Sequence, residues 1–167
     1  MLRKLGLAAL IGLSGCGPTE PSAEQKRKDA ADVASVEAMQ KVAPPIKPIT
    51  LQPITLAEIE AKNLSGAGCS FSTSSPAEPL ALALVGRALI KLDDHIIMLV
   101  SDNGGAKLEA GAWEHYMGKE FTLTLKRVPG EGKPGIALSK QYAGELVVRD
   151  AWDRIVYSAQ GSLNCGA

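Results

Sequence analysis

The sequence predicts a mainly β protein: a small antiparallel β-barrel or sandwich of six to eight strands, preceded by a signal peptide, a short helix and a proline-rich stalk. Three observations carry this reading. From Leu64 onward the apolar residues fall in short runs with a period near two, the pattern of half-buried strands. The joints between runs are short and carry Gly, Asp and Asn, so consecutive strands are antiparallel neighbours. Finally, that many short strands in about 100 residues hide their apolar face and their edges only by closing or doubling the sheet.

In chain order, Arg3 and Lys4 precede an uncharged run at 5–13, LGLAALIGL. A membrane-spanning helix needs about 20 apolar residues. This run is roughly half that and is followed at once by Gly15, Cys16, Gly17 and Pro18, which is the anatomy of an export signal. At the junction stand Leu13, Ser14, Gly15 and Cys16: an aliphatic residue, two small ones, then cysteine. This resembles the lipobox of bacterial lipoproteins. The resemblance implies that Leu13, Ser14 and Gly15 are read by lipoprotein signal peptidase, that 1–15 are removed, and that Cys16 carries a diacylglycerol and an N-acyl chain. Several acyl chains at about 0.8 kcal/mol per buried CH₂ make such an anchor effectively permanent. By the family's sorting habit, Gly17 in place of Asp implies the periplasmic face of the outer membrane.

Residues 16–57 read as lipid anchor and tether. They hold six prolines (Pro18, Pro21, Pro44, Pro45, Pro48, Pro53), no aromatic residue, and the charged stretch EQKRKD. Ser22 and Gln25 have capping-box spacing, and the alanine-rich run 23–41 predicts a short helix. Its stripe of Val33, Val36, Met39 and Val42 is thin, which suits a solvated spacer. The following APPIKPITLQPITL is too rich in proline for a helix and predicts a stiff, extended stalk. Thr55 and Glu58 then form a second capping-box pair, opening a turn or two of helix that abuts the β-rich domain, 58–167.

Within the domain the expected strands are 80–85, 88–92, 96–100, 121–127, 145–150 and 154–160, with weaker candidates at 106–109 and 136–139. Turn chemistry marks Val85-Gly86-Arg87, Asp93-Asp94, Asp102-Asn103-Gly104-Gly105, 129–135 and 150–153. Once Cys16 is assigned to the anchor, the remaining two of three cysteines, Cys69 and Cys165, pair in the oxidising compartment that the export signal implies. Their bond would close a loop running most of the length of the domain, worth roughly 4 to 5 kcal/mol by loop-closure entropy.

Eighteen basic residues balance eighteen acidic ones, leaving no overall field for DNA or RNA, so nucleic acid is excluded as a partner. No catalytic constellation emerges, and the expectation is a protein that is not an enzyme. His95 and His115 lack metal-site spacing. Asp93-Asp94 reads as a hairpin turn, and the loop 102–105 lacks the alternating acids and distal glutamate of a calcium site. Gly130 to Gly135 spells GxGxxG, but Pro134 opposes the helix a dinucleotide site needs. No metal or cofactor is expected beyond the lipid on Cys16.

Aromatic residues are few, yet Trp113, His115, Tyr116 and Phe121 cluster in GAWEHYMGKEF, where they fill the core or form a recognition surface. Trp152, in the turn after Arg149 and Asp150, is a second contact candidate. The first-strand cysteine, the Gly-Gly-Ala-Lys-Leu turn at 104–108, Trp113, Met117-Gly118-Lys119-Glu120 and the terminal cysteine are similar to the membrane-bound inhibitors of C-type lysozyme. Those are small periplasmic β-barrel lipoproteins with an end-to-end disulfide. The resemblance implies a loop at 101–107, with Ser101 and Lys107, entering the enzyme's cleft. The functional expectation is a membrane-anchored envelope lipoprotein that binds a partner or serves an assembly, with partner-surface candidates Ser101, Lys107, Trp113, His115, Tyr116 and Trp152. The alternatives are a lysozyme inhibitor, and a ligand carrier or envelope enzyme.

Overall fold

The computed structural model describes residues 21–40, 42–74, 77–135 and 138–166. The expected signal peptide, its recognition residues Leu13, Ser14 and Gly15, and the lipid site Cys16 lie outside the described residues. The chain divides into two compact units, Met1–Ala43 and Pro44–Ala167.

The described part of the first unit is α1, Ala23–Gln40. Ser22 Oγ accepts the Gln25 backbone N–H at 3.1 Å, as the capping pattern predicts. The Gln25 side chain turns forward to Asp29 instead of back to the cap, so only half of the box forms. Val33, Val36 and Met39 are all exposed, as is every other residue of the helix from 23 to 39.

The second unit is a closed antiparallel barrel. Its strands are β1 (Gly68–Ser72), β2 (Ala81–Leu84), β3 (Arg87–Leu92), β4 (His95–Ser101), β5 (His115–Met117), β6 (Phe121–Arg127), β8 (Lys140–Asp150) and β9 (Ile155–Gly166), with a two-residue β7 (Lys133–Pro134) added outside the ring on β8. The order runs β6-β5-β4-β3-β2-β1-β9-β8, and β6 pairs with β8 to close it, from Phe121 opposite Asp150 to Arg127 opposite Gly144. Closure removes the edges that an open sheet would expose. The ring is tight enough that Gly144 and Gly161 face each other across β8 and β9, and a Cβ on Gly161 would collide with the Ser72 carbonyl and the Phe71 ring.

Strand alternation sorts the side chains. Ala81, Ala83, Ala88 and Ile90 join Phe71, Leu99, Tyr116, Leu123, Leu125, Leu146 and Leu163 in the main core. The small alanines of β2 and β3 make room for the larger residues opposite. Leu82, Leu84 and Leu89 point the other way and form a second cluster with Ile54 and Leu64, under α2 (Leu56–Ala61). The full capping box expected at Thr55 and Glu58 is present. The Asp93-Asp94 hairpin has positive φ at both residues, 48° and 62°, as a two-residue turn matched to strand twist requires.

Several expectations change. The PITLQPITL stretch is a strap on the barrel, not a free stalk. Ile49 N–H donates to Val156 O at 3.1 Å, Gln52 N–H to Lys91 O at 2.9 Å, and Ile54 N–H to Pro79 O at 2.8 Å. Leu51 and Ile54 are buried. The barrel unit therefore begins at Pro44, ahead of the boundary expected at 58. Segment 106–109 is no strand: it holds an isolated bridge between Lys107 and Trp113 and leads into a single 3₁₀ turn, Glu109–Gly111. Of the candidate at 136–139, residues 136 and 137 lie outside the described residues, and Leu138 is in a turn. Strands β1, β5 and β7 were not anticipated, and β8 and β9 run well beyond their expected bounds.

Candidate functional site

Because the strands alternate in direction, the joints after β1, β3, β5 and β8 gather at one end of the barrel. Those after β2, β4 and β6 gather at the other, with the disulfide. Cys69 and Cys165 are register partners on β1 and β9, bonded with their Cα atoms 4.0 Å apart.

The disulfide end is covered by the loop 102–114, which buries Leu108 and Ala112. Here Glu109 accepts a short hydrogen bond from Tyr142 Oη and lies 3.5 Å from Arg127, whose guanidinium sits 4.9 Å from the Tyr142 ring centre. The bond to Glu109 pushes the Tyr142 hydroxyl's pKa up, since it favours the neutral donor. Four of the partner-surface candidates lie here. Ser101 Oγ donates to Asn103 Oδ1 at 2.9 Å, and His115 Nδ1 is 2.9 Å from Thr124 Oγ1, so serine and histidine do not address each other as nucleophile and base. Lys107 Nζ lies 4.7 Å over the Trp113 ring. Among the described residues no group of three His, Cys, Asp or Glu side chains is placed to hold a metal ion.

Tyr116 does not belong to any surface. It is fully buried, its hydroxyl donates to Leu84 O at 2.7 Å and accepts the Trp113 N–H at 2.9 Å, and burial raises its pKa. A phenol that ties β5 to β2 through the core is a structural residue, which removes it from the partner-surface candidates.

The opposite end carries an open groove of about 420 Å³. Phe121, Ile49 and Val156 contribute apolar lining, Trp152 stands at its lip 44% exposed, and Lys47 and Lys119 lie along its rim. The β8–β9 turn that presents Trp152 is locked from within. Asp150 Oδ1 accepts the backbone N–H of Trp152 at 2.9 Å and of Arg154 at 3.0 Å, and its Oδ2 takes the Arg154 guanidinium at 2.6 Å. These bonds, the Arg154 side chain first, hold the Asp150 carboxyl below its usual pKa. Arg154 also donates to the Pro44 carbonyl, fastening the start of the strap to the same turn.

The sequence flagged Trp152 but not the rest of its groove. Lys47 and Ile49 arrive from the strap, Lys119 and Phe121 from the β5–β6 connection, and only ring closure together with docking of the strap brings them together. One local signal was available: in PIT, repeated after Pro48 and Pro53, each proline is followed by an isoleucine whose N–H bonds the barrel. No protein-family model, curated protein or solved structure matches the chain.

Proposed function

We propose that this chain is an envelope lipoprotein, held by lipid on Cys16, whose barrel is a non-enzymatic binding module working through the Trp152 groove. The groove carries the reading. The barrel interior is filled by its own side chains, so a ligand is met at the surface, and this surface combines an apolar floor, a half-exposed tryptophan and a charged rim. That is the composition of a contact hot spot. Its turn is held by the Asp150 and Arg154 bonds before any partner arrives, which lowers the ordering cost of contact.

Two experiments test the two halves. Mass spectrometry of the exported protein finds diacylglycerol and an N-acyl chain on Cys16, and Cys16→Ser abolishes the modification; an unmodified cysteine would remove the anchor. A photo-crosslinking residue at position 152 in intact cells yields adducts well above those from position 126, an exposed site on β6. Equal yields would remove the groove as the working surface.

A second reading is inhibition of C-type lysozyme, supported by the eight-stranded barrel with its β1–β9 disulfide and by the exposed Lys107 beside the 102–105 turn. Purified protein would then inhibit lysozyme, and Ser101→Ala with Lys107→Ala would abolish the effect. Inhibition unchanged in that variant would exclude the loop.

A further inference from the structure

We infer that the partner of the Trp152 groove is the lipid surface of the membrane itself, so that the barrel is seated on the bilayer at this end as well as tethered to it. This rests on the reading of the chain as a lipoprotein and names the occupant of its groove.

Connectivity is the first argument. The groove is lined by Pro44 and Pro45, the residues at which the chain enters the barrel from the segment that leads back to Cys16. In sequence these are the first residues of the barrel unit after Cys16. The second argument is the character of the rim. Trp152, which lines the groove, is 44% exposed, and Ile46 and Ile155, next in sequence to the lining residues Pro45, Lys47, Arg154 and Val156, are 53% and 49% exposed. An indole flanked by aliphatic and basic side chains is the composition that settles at the headgroup boundary, where the ring has an apolar body and a polar N–H.

Charge is the third. Asp150 is answered by Arg154 at 2.6 Å and Asp153 by Arg149 at 3.7 Å. Among the described residues Lys47 and Lys119 make no ion pair, and Glu120 is the one carboxylate along the groove without a basic partner. These two ammonium groups beside exposed apolar residues favour an anionic lipid surface. The same end of the barrel also carries Asp93 and Asp94 in the β3–β4 turn, so the contact is made by the β5–β6 and β8–β9 side of the rim, with the acidic turn facing water. A single anchor then acts together with a second, weaker contact, which fixes which way the barrel faces and leaves the disulfide end turned to the periplasm.

The test uses lipidated protein reconstituted into vesicles of phosphatidylethanolamine and phosphatidylglycerol bearing brominated acyl chains, which quench tryptophan at short range. Trp113→Phe leaves Trp152 as the only tryptophan, and Trp152→Phe leaves Trp113. Trp152 is expected to be quenched about threefold more strongly than Trp113, with a blue-shifted emission, and Lys47→Glu with Lys119→Glu is expected to bring it close to the Trp113 level. Equal quenching of the two tryptophans in protein whose Cys16 lipid is verified would overturn the contact while leaving the anchor intact. If Cys16 proves unmodified, the same protein mixed with vesicles and separated by flotation still decides the contact: Trp152 quenched in the floated fraction upholds it, and failure to float overturns it.

Discussion

Glu58 joins three parts of the structure in one side chain. It closes the capping box by accepting the Thr55 N–H at 2.9 Å, and its other oxygen lies 2.8 Å from Lys91 Nζ on β3. The bond to Lys91, then the bond to the Thr55 backbone, lower its pKa from 4.5 to about 2, and the same pairing raises that of Lys91 above 10.5. The signs follow from linkage. A carboxyl whose folded pKa lies below its unfolded one stabilises the native state above the unfolded value, and the contribution fades as pH falls through the folded value. For Glu58 that window runs from 4.5 down to about 2. For Lys91 the contribution is complete below 10.5 and is lost as pH rises through its raised value. Thermal melts of Glu58→Gln are therefore expected to show a lower Tm than the parent at neutral pH, the gap narrowing as pH drops across that window. A gap of constant size down to pH 2 would mean that helix packing, not charge, is what the substitution disturbs. The sequence marked Glu58 as a capping residue because the Thr-x-x-Glu spacing is local. Lys91 was invisible as its partner because only the docking of α2 on β3 brings them together.

The strap is the element on which local and tertiary physics disagree. Proline density predicts an extended chain, and residues 49–54 hold no helix and one bridge, at Gln52. What density leaves out is that an extended chain can pair. Pro48 and Pro53 donate nothing themselves, but Ile49, Gln52 and Ile54 do, and Ile54 is fully buried against Leu82, Leu84 and Leu89. The same distinction explains the strands. β3 and β4 were legible as short continuous apolar runs bounded by turn residues, and β6 by its alternation of apolar and polar residues. β1, with Gly, Cys and two serines around Phe71, is held by pairing on both sides and carries too little apolar pattern to stand out. β5 is three residues long, below what periodicity can register. The strap makes a measurable prediction: Ile54→Ala opens a cavity between sheet and helix and is expected to cost about 2 to 5 kcal/mol in urea denaturation. Ile46→Ala, on the exposed stretch just before, is expected to stay within about 0.5 kcal/mol. Equal and small effects at both positions would restore the picture of a free stalk.

At the scale of the whole molecule the question is what joins the two ends of the barrel sequence. Hairpins connect most neighbouring strands, and their pairing closes short loops. The β1–β9 pairing is different, since it sets the first strand against the last through five register pairs from Gly68 opposite Gly166 to Ser72 opposite Ser162. Forming it from the unfolded chain costs the most loop entropy of any pairing in the ring. The disulfide lies within that pairing, across a sequence separation of 96. Restricting the unfolded chain over such a loop is worth roughly 4 to 5 kcal/mol in the loop-entropy model, a large share of the 5 to 15 kcal/mol typical of a domain. Urea unfolding with and without reductant is expected to differ by that amount, with Cys69→Ser plus Cys165→Ser behaving as the reduced protein does. Exported protein is expected to yield no label at either position until it is reduced. A shift below about 1 kcal/mol would mean that the unfolded chain already holds its ends together, and the stability of the ring would then rest on the β6–β8 closure and the filled core.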